Sequence, residues 1–361
     1  MKPSKPSVEN SAFNGAYKGG LENIFRRRLG EMASVDLKAE PSWIRLMAER
    51  LRIEKYQLVG RHSAVKKCSW LHQSLVHNRY CYKQKFYGIQ SHRCLQMTPS
   101  AYHCTLRCTF CWRVHPEDLG LKSPLEAAQP IPEPDDPDFI VEESVKAQRR
   151  ILSGYKAHKS LDRVKYEEAL NPAHAAISLT GEPTLYPRLG ELIQAFHKRG
   201  MTTFLVSNAT MPEVLSNLES EPSQLYLSLH APTEESFKHV CKPMIRGAFQ
   251  KVLQSLELLK SFSCPTVLRL TLVKGLNMEM VEDYARLVVK TEPTYVEPKA
   301  YMWVGFSRRR LRYEHMPTHQ EVKAFAERLA ELTGYNIIEE AGESRVVLLS
   351  RLSKPIKIKA G

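Results

Sequence analysis

No stretch of this chain approaches the roughly 18 consecutive apolar residues that a membrane-spanning helix requires, and Met1 to Gly20 holds no apolar core of the secretory type. The sequence therefore places the protein in the cytoplasm, with no membrane partner. Acidic residues are in deficit: 39 Asp and Glu against 52 Lys and Arg give a formal charge of +13 and a pI near 9.3. Such a surface draws polyanions through counterion release, which makes nucleic acid the leading partner class; a solvated basic surface gives the same count. Cysteine is too sparse for a disulfide scaffold, with eight in 361 residues, and cytosolic thiols more often bind metal or do chemistry. Internal repeats and low-complexity tracts are lacking too. What remains, 43% apolar and 25% charged, is an ordinary globular composition long enough for one large domain with extensions.

Residues 1–40 mix Gly, Ser, Pro and charge, including Arg26-Arg27-Arg28, and read as a flexible basic arm. Pro41-Ser42 then opens a helix expected over Trp43 to Ile53, with Trp43, Leu46, Met47 and Leu51 on one face. Ser123 to Asp138 is proline-rich and acidic, so it is expected as a surface loop. Beyond residue 140 short apolar runs alternate with amphipathic stretches, the pattern of strand-helix units on a parallel sheet. The expected strands are Leu95 to His103, His174 to Leu179, Thr202 to Val206, Gln224 to Leu229, Thr266 to Val273 and Thr294 to Tyr301. Expected helices include Leu189 to Lys198, Met211 to Leu218, Ala248 to Ser261 and Met280 to Thr291. Six such strands make an α/β fold, a partial (βα)6 barrel of the TIM type, with chemistry at the C-terminal strand ends. This reading gives a helical and loop extension over 41–94, a barrel over 95–311, and a C-terminal helix and strands over 312–361.

Cys104, Cys108 and Cys111 form a CxxxCxxC array just after the first of those strands. Thiolates at these gaps can wrap one loop around an iron-sulfur cube, and three ligands for four irons leave one iron open to S-adenosylmethionine. A zinc knuckle completed by His103, His115 or a distant Cys is the alternative, weakened by the lack of a second CxxC pair. Cys68, Cys81 and Cys94 stand apart, with twelve residues between successive members. They either bring three chain segments to a second cluster or are buried free thiols.

The array, with aromatic Phe110 before its last cysteine, resembles the defining motif of the radical S-adenosylmethionine superfamily. Thr180-Gly181-Glu182-Pro183 resembles the superfamily's turn that holds the methionine amino group, and Ser207-Asn208 and Ser228 resemble its carboxylate and ribose contacts, although caps and turns use the same residues. The stretch from Val59 to Arg113 resembles the tRNA 4-demethylwyosine synthase (TYW1) family, and the likeness continues more loosely to about Leu311. His230 stands where that family's Ser-x-Asp-Ala turn would have an acid.

The resemblance implies a tRNA-modifying enzyme that condenses N1-methylguanosine-37 of phenylalanine tRNA with pyruvate to form a tricyclic base. It implies two [4Fe-4S] clusters, one on Cys104, Cys108 and Cys111 that serves S-adenosylmethionine, the other an auxiliary one on Cys68, Cys81 and Cys94 whose free iron chelates pyruvate. Lys83 matches a family lysine proposed to form a Schiff base with pyruvate or with the ring-closing intermediate; a contact to tRNA phosphate is its alternative. Lys66, Lys67, Lys85 and Arg113 are read as electrostatic contacts to substrate. Tyr80, Tyr82, Phe86, Tyr87 and Trp112, with Trp303 and the run Arg308-Arg309-Arg310 and Arg312, supply groups suited to an anticodon loop. A separate flavodoxin- or ferredoxin-like donor and a monomeric state are expected. The rivals are a radical RNA methyltransferase using Cys241 or Cys264, and a zinc protein that binds RNA.

Overall fold

Short β-branched and leucine-rich runs bounded by turn residues build one sheet here, and across its six central strands the intervening helices return the chain in the same direction. The computed structural model describes residues 40–122 and 124–359; the proposed basic arm lies outside them except for Glu40. In chain order come α1 (Ser42–Ile53), β1 (Gln57–Val59), β2 (Ser63–Val65), α2 (Ser69–His77), α3 (Tyr82–Tyr87), β3 (Cys94–Thr98), α4 (Pro137–Ser153) and α5 (Arg163–Ala169). Next are β4 (His174–Ile177), α6 (Leu189–Lys198), β5 (Thr202–Ser207), α7 (Pro212–Ser216), β6 (Gln224–Ser228), α8 (Glu234–Cys241) and α9 (Ala248–Glu257). The chain continues with β7 (Thr266–Leu272), α10 (Val281–Thr291), β8 (Tyr295–Ala300), α11 (His319–Thr333), β9 (Asn336–Ala341) and β10 (Val346–Ser350).

The ten strands lie in the order β1-β2-β3-β4-β5-β6-β7-β8-β10-β9. All neighbours from β3 to β8 are parallel, and antiparallel pairs flank them on both sides. The six expected strands are thus present, and the N-terminal extension adds two more rather than only helix and loop. β3 ends at Thr98, short of His103, because Pro99 has no N–H to continue a ladder and the Ala101 amide turns instead to the His62 carbonyl. The acidic loop gives way at Pro137 to α4, whose N-cap Asp136 accepts from the Asp138 and Phe139 amides.

Period-two alternation divides the strand residues between two faces. Leu95, Met97, Ile177, Leu205, Leu225, Leu227, Leu268, Leu270 and Val296 join the main core with the apolar faces of the helices. The other face carries Phe204, Tyr226, Val267 and Tyr295, which pack against Tyr82, Phe86 and Tyr87 of α3. That helix forms because residues 82, 86 and 87 share a face, and Gly88 at φ +78° ends it. Lys357 donates to the freed carbonyls of Lys85 and Phe86. Burying these three aromatics contributes roughly 1.5–3 kcal/mol each, so a six-residue helix with little intrinsic stability is held in place by packing. Among the described residues no helix is long and apolar enough to cross a membrane.

Candidate active site at the two ends of strand β3

The loop after β3 carries Cys104, Cys108 and Cys111 and is fixed on several sides by its backbone. Cys104 N donates to Ala127 O, Arg107 N to Cys241 O and Thr109 N to Val240 O, at 2.8, 2.9 and 2.9 Å. Arg310 donates to the carbonyls of Thr109, Cys111 and Arg113 and to both oxygens of Asp118. Gly305, at φ +58°, lets the 305–309 turn press on the loop: a Cβ there would lie 2.3 Å from Trp112 O. The thiols differ in environment. Burial pushes Cys104 up; a hydrogen bond shared with Cys241, and burial, push Cys108 well up. Burial also acts upward on Cys111, but a hydrogen bond from His115 and the charge of Arg113 outweigh it and bring the thiol below its ordinary value.

The ends of β4, β5 and β6 face this loop. Gly181 adopts φ +70°, and a Cβ would meet Ser100 O at 1.8 Å and His103 O at 2.6 Å, so only glycine allows the approach. Thr180 O accepts from Thr98 Oγ1. Glu182 is 1% exposed; its Oε1 accepts from Thr184 N, Thr184 Oγ1 and Ser207 Oγ, while among the described residues Oε2 accepts only from Asn208 N at 2.7 Å. Burial pushes that carboxyl up against the pull of these donors. Asn208 Nδ2 reaches Thr105 Oγ1 at 2.9 Å and Cys104 Sγ at 3.8 Å, linking strand end to cysteine loop. Phe110 meets the ring of His230 edge-on at 4.7 Å between centroids, close to the buried Ser228 at the end of β6. His230 Nδ1 is buried with no partner among the described residues, and burial lowers the imidazole to about 3. An orphaned ring nitrogen beside Phe110 is free to meet a ligand.

Cys94 begins β3, so the second set sits at the other end of the same strand; Cys68 and Cys81 immediately precede α2 and α3. The thiols sense each other: burial raises all three, Cys68 further raises Cys81, and Cys68 and Cys81 further raise Cys94. Lys83 Nζ lies 4.5 Å from the ring centre of Phe204 and 4.1 Å from that of Tyr226. Burial, opposed by Glu297, lowers it to about 8. Glu297, fully buried, accepts from the hydroxyls of Tyr87, Tyr82 and Tyr226 at 2.6, 3.1 and 3.3 Å, and Arg269 donates to the Tyr82 hydroxyl at 3.1 Å. Lys299, lowered to about 7 by burial and then Arg269, donates to Ser344 O. The polar members Glu297, Arg269 and Lys299 lie within the stretch of looser family likeness, where the sequence assigned them no role.

Other expected residues are distributed unevenly. Lys66 Nζ lies over Tyr56 and Trp112 at 4.1 and 5.4 Å, and Arg113 stacks on Trp112 at 4.3 Å while donating to Ser178 O. Lys67 lies over Tyr155 at 5.3 Å. Lys85 turns to the β9 strand, paired with Glu339 at 2.9 Å. Tyr82, Phe86 and Tyr87 are core residues rather than stacking platforms, because the α3 face that carries them docks on the sheet. Arg310 points into the cysteine loop, while Arg308 lies over Trp303 at 4.4 Å next to exposed Tyr313. Cys241 adjoins Cys108, whereas Cys264 precedes β7 and donates its amide to Glu221, so no cysteine pair forms for methyl transfer. Among the described residues no three His, Cys, Asp or Glu side chains converge on a single ion position, and His103 packs on Trp43. The donor sets, three thiols on each side, are of the ligand type that iron-sulfur clusters use.

A radical SAM superfamily profile matches residues 98–288, and a profile described as wyosine base formation matches residues 290–351. The S-adenosyl-L-methionine-dependent tRNA 4-demethylwyosine synthase of Pyrococcus horikoshii is 51% identical over 322 residues, 88% of this chain and 92% of that one. This chain belongs to the tRNA 4-demethylwyosine synthase family of radical S-adenosylmethionine enzymes. The human member, TYW1, is 35% identical over 92% of this chain but only 44% of its own length. Among solved structures of the family, "Structure of TYW1 with a lysine-pyruvate adduct bound" is similar at TM-score 0.77 and 37% identity, covering 88% of this chain and 99% of that one. "Crystal structure of archaeal TYW1" is similar at TM-score 0.70 and 33% identity, covering 88% and 98%. Membership of the synthase family agrees with the strand-end geometry: a superfamily motif on one side of β3 and a second thiol set on the other.

Proposed function

We propose that this enzyme condenses N1-methylguanosine-37 of phenylalanine tRNA with pyruvate, adding two of its three carbons to close the third ring of 4-demethylwyosine. The observation that carries this reading is the placing of Lys83 and three further thiols at the far end of the strand that leads to the radical-forming loop. From Cys94 to Thr98 a strand covers about 13 Å, which leaves room between the two ends for a flipped-out base and a small acid. In this reading the six parallel strands form the partial barrel of the superfamily, and the extension supplies the auxiliary site.

Cys104, Cys108 and Cys111 hold one [4Fe-4S] cluster, and Cys68, Cys81 and Cys94 hold the other. When bound, the first supplies the electron that cleaves S-adenosylmethionine, and the second offers an open iron to pyruvate. The open side of Glu182 Oε2 and the backbone at Thr180 and Gly181 receive the methionine ammonium; Ser207 and Asn208 lie on its carboxylate side. Phe110, Ser228 and the free Nδ1 of His230 line the nucleoside. Lys83, as the neutral amine, attacks the pyruvate keto carbon, and water leaves as the imine forms. Lys66, Arg113 and Trp112 flank the substrate between the two sites, and Trp303, Arg308, Arg309, Arg312 and Tyr313 meet the anticodon loop by charge and stacking. Lys85, held by Glu339, is available only at the periphery. The protein acts in the cytoplasm as a monomer and takes electrons from a separate flavodoxin- or ferredoxin-like donor.

The test is incubation of the reduced enzyme with methylated tRNA, S-adenosylmethionine and pyruvate labelled at its keto carbon. Label in a tricyclic base is expected. Cleavage of S-adenosylmethionine without label in the tRNA would refute the substrate and leave the superfamily chemistry intact.

A further inference from the structure

The polar cluster beside Lys83 contains more positive charge than its own carboxylate balances. Arg269 faces Glu297 across the β7–β8 pair, and Lys299 follows two residues later opposite Thr271, so all three side chains project to the same face. Lys83 Nζ and the Arg269 guanidinium approach one ring, Tyr226, at 4.1 and 5.9 Å. Lys299 Nζ lies 5.3 Å from the centre of the Tyr82 ring, whose hydroxyl accepts from Arg269. Among the described residues none of the three cations lies within ion-pairing distance of a carboxylate: Arg269 is held by a tyrosine hydroxyl and Lys299 by the Ser344 carbonyl. Glu297, the buried acid of the group, is already engaged by three tyrosine hydroxyls. The chain itself thus sets three basic groups against one carboxylate, Glu297, and the site is short of anions.

Resting on the reading that pyruvate meets Lys83, we propose that Lys299, with Arg269 beside it, receives the carboxylate of that 2-oxo acid and so presents its keto carbon to the Lys83 amine. An ammonium has three donors and Ser344 O uses one, so two remain for a carboxylate. Once Lys83 has become a cationic iminium, the bound carboxylate offsets its charge. Next to this cluster lies a cavity of about 480 Å³ whose lining includes Cys81, Tyr82, Lys85, Glu340, Glu343 and Ser344. Tyr82 and Ser344, the two groups against which Lys299 rests, form part of its wall. The class selected is a short 2-oxo monoacid, in preference to a neutral ketone.

The experiment traps the lysine adduct. Reconstituted holoenzyme is incubated anaerobically with pyruvate or methyl pyruvate and with cyanoborohydride, whose hydride reduces the Lys83 C=N bond to a stable secondary amine that peptide mass spectrometry counts. Wild type is expected to half-saturate at a pyruvate concentration at least about tenfold below that for methyl pyruvate, the scale of losing one charge-assisted contact. K299M is expected to need about tenfold more pyruvate and to lose the preference for acid over ester, with K299R restoring most of both. Wild type taking the ester as readily as the acid overturns the proposal without any variant, as does K299M with wild-type half-saturation and discrimination. Wild type that forms no adduct at Lys83 with either compound overturns the underlying reading and this proposal with it.

Discussion

Arg310 Nη1 donates to both carboxylate oxygens of Asp118, at 2.7 and 2.6 Å, and the same guanidinium gathers the carbonyls of Thr109, Cys111 and Arg113. The pair is largely buried, with side chains 18% and 9% exposed. Removing one partner of such a pair costs about 3 kcal/mol or more, because the other charge is left without compensation. R310Q should therefore lower the melting temperature and reduce iron bound at Cys104, Cys108 and Cys111, whereas R308Q, at the exposed face, should leave both unchanged and weaken tRNA binding. Iron content and thermal melts of the two variants separate these roles; equal behaviour would remove the distinction.

G181A should lose about 3 kcal/mol of stability from a left-handed alanine and a Cβ driven against Ser100 O, and it should not cleave S-adenosylmethionine. Normal melting with normal cleavage would show that the 178–183 turn does not need its close approach.

His230 provides a test at the nucleoside. H230A is expected to raise the KM for S-adenosylmethionine about tenfold, since a hydrogen bond in a desolvated site is worth about 1–1.5 kcal/mol, and H230N should recover part of it. An unchanged KM in both variants would show that Nδ1 stays without a partner in the working enzyme.

The two cysteine sets should separate by iron count and by reaction. Replacing Cys68, Cys81 and Cys94 with alanine should leave about four irons of about eight and continued S-adenosylmethionine cleavage without tricyclic product. Replacing Cys104, Cys108 and Cys111 should leave a similar iron count with no cleavage. Identical loss of cleavage in both would argue against separate duties.

For Lys83, K83A and K83R should both abolish product and the trapped pyruvate adduct while cleavage persists. K83R keeps the charge, so product from it would favour the phosphate-contact role instead of the imine.

The central strands were legible because β4 to β8 are apolar runs bounded by turn residues, and their parallel order follows from the helices between them. The strands β1 and β2 are three residues each, too short for alternation to register, and α3 is six residues whose apolar face emerges only when it docks. Cys104, Cys108 and Cys111 share one loop, so their spacing carried chemical meaning. The long gaps between Cys68, Cys81 and Cys94 carried little until family likeness was added, because only tertiary structure brings β3 and the starts of α2 and α3 together. Arg308 to Arg310 read as one basic run; the turn over Gly305–Arg309 is what directs Arg310 inward to the cysteine loop and leaves Arg308 over Trp303.

Strand β3, with one thiol set at its head and the other just past its tail, also works as a ruler. Deleting one residue between Cys94 and Thr98 would exchange its two faces, turning Cys94 toward the helices and an apolar neighbour toward the ligands; deleting two would restore the faces but draw the sites about 7 Å closer. The number of residues in this short span therefore sets the spacing between the two thiol sets and, on the function proposed above, how far the radical would have to reach.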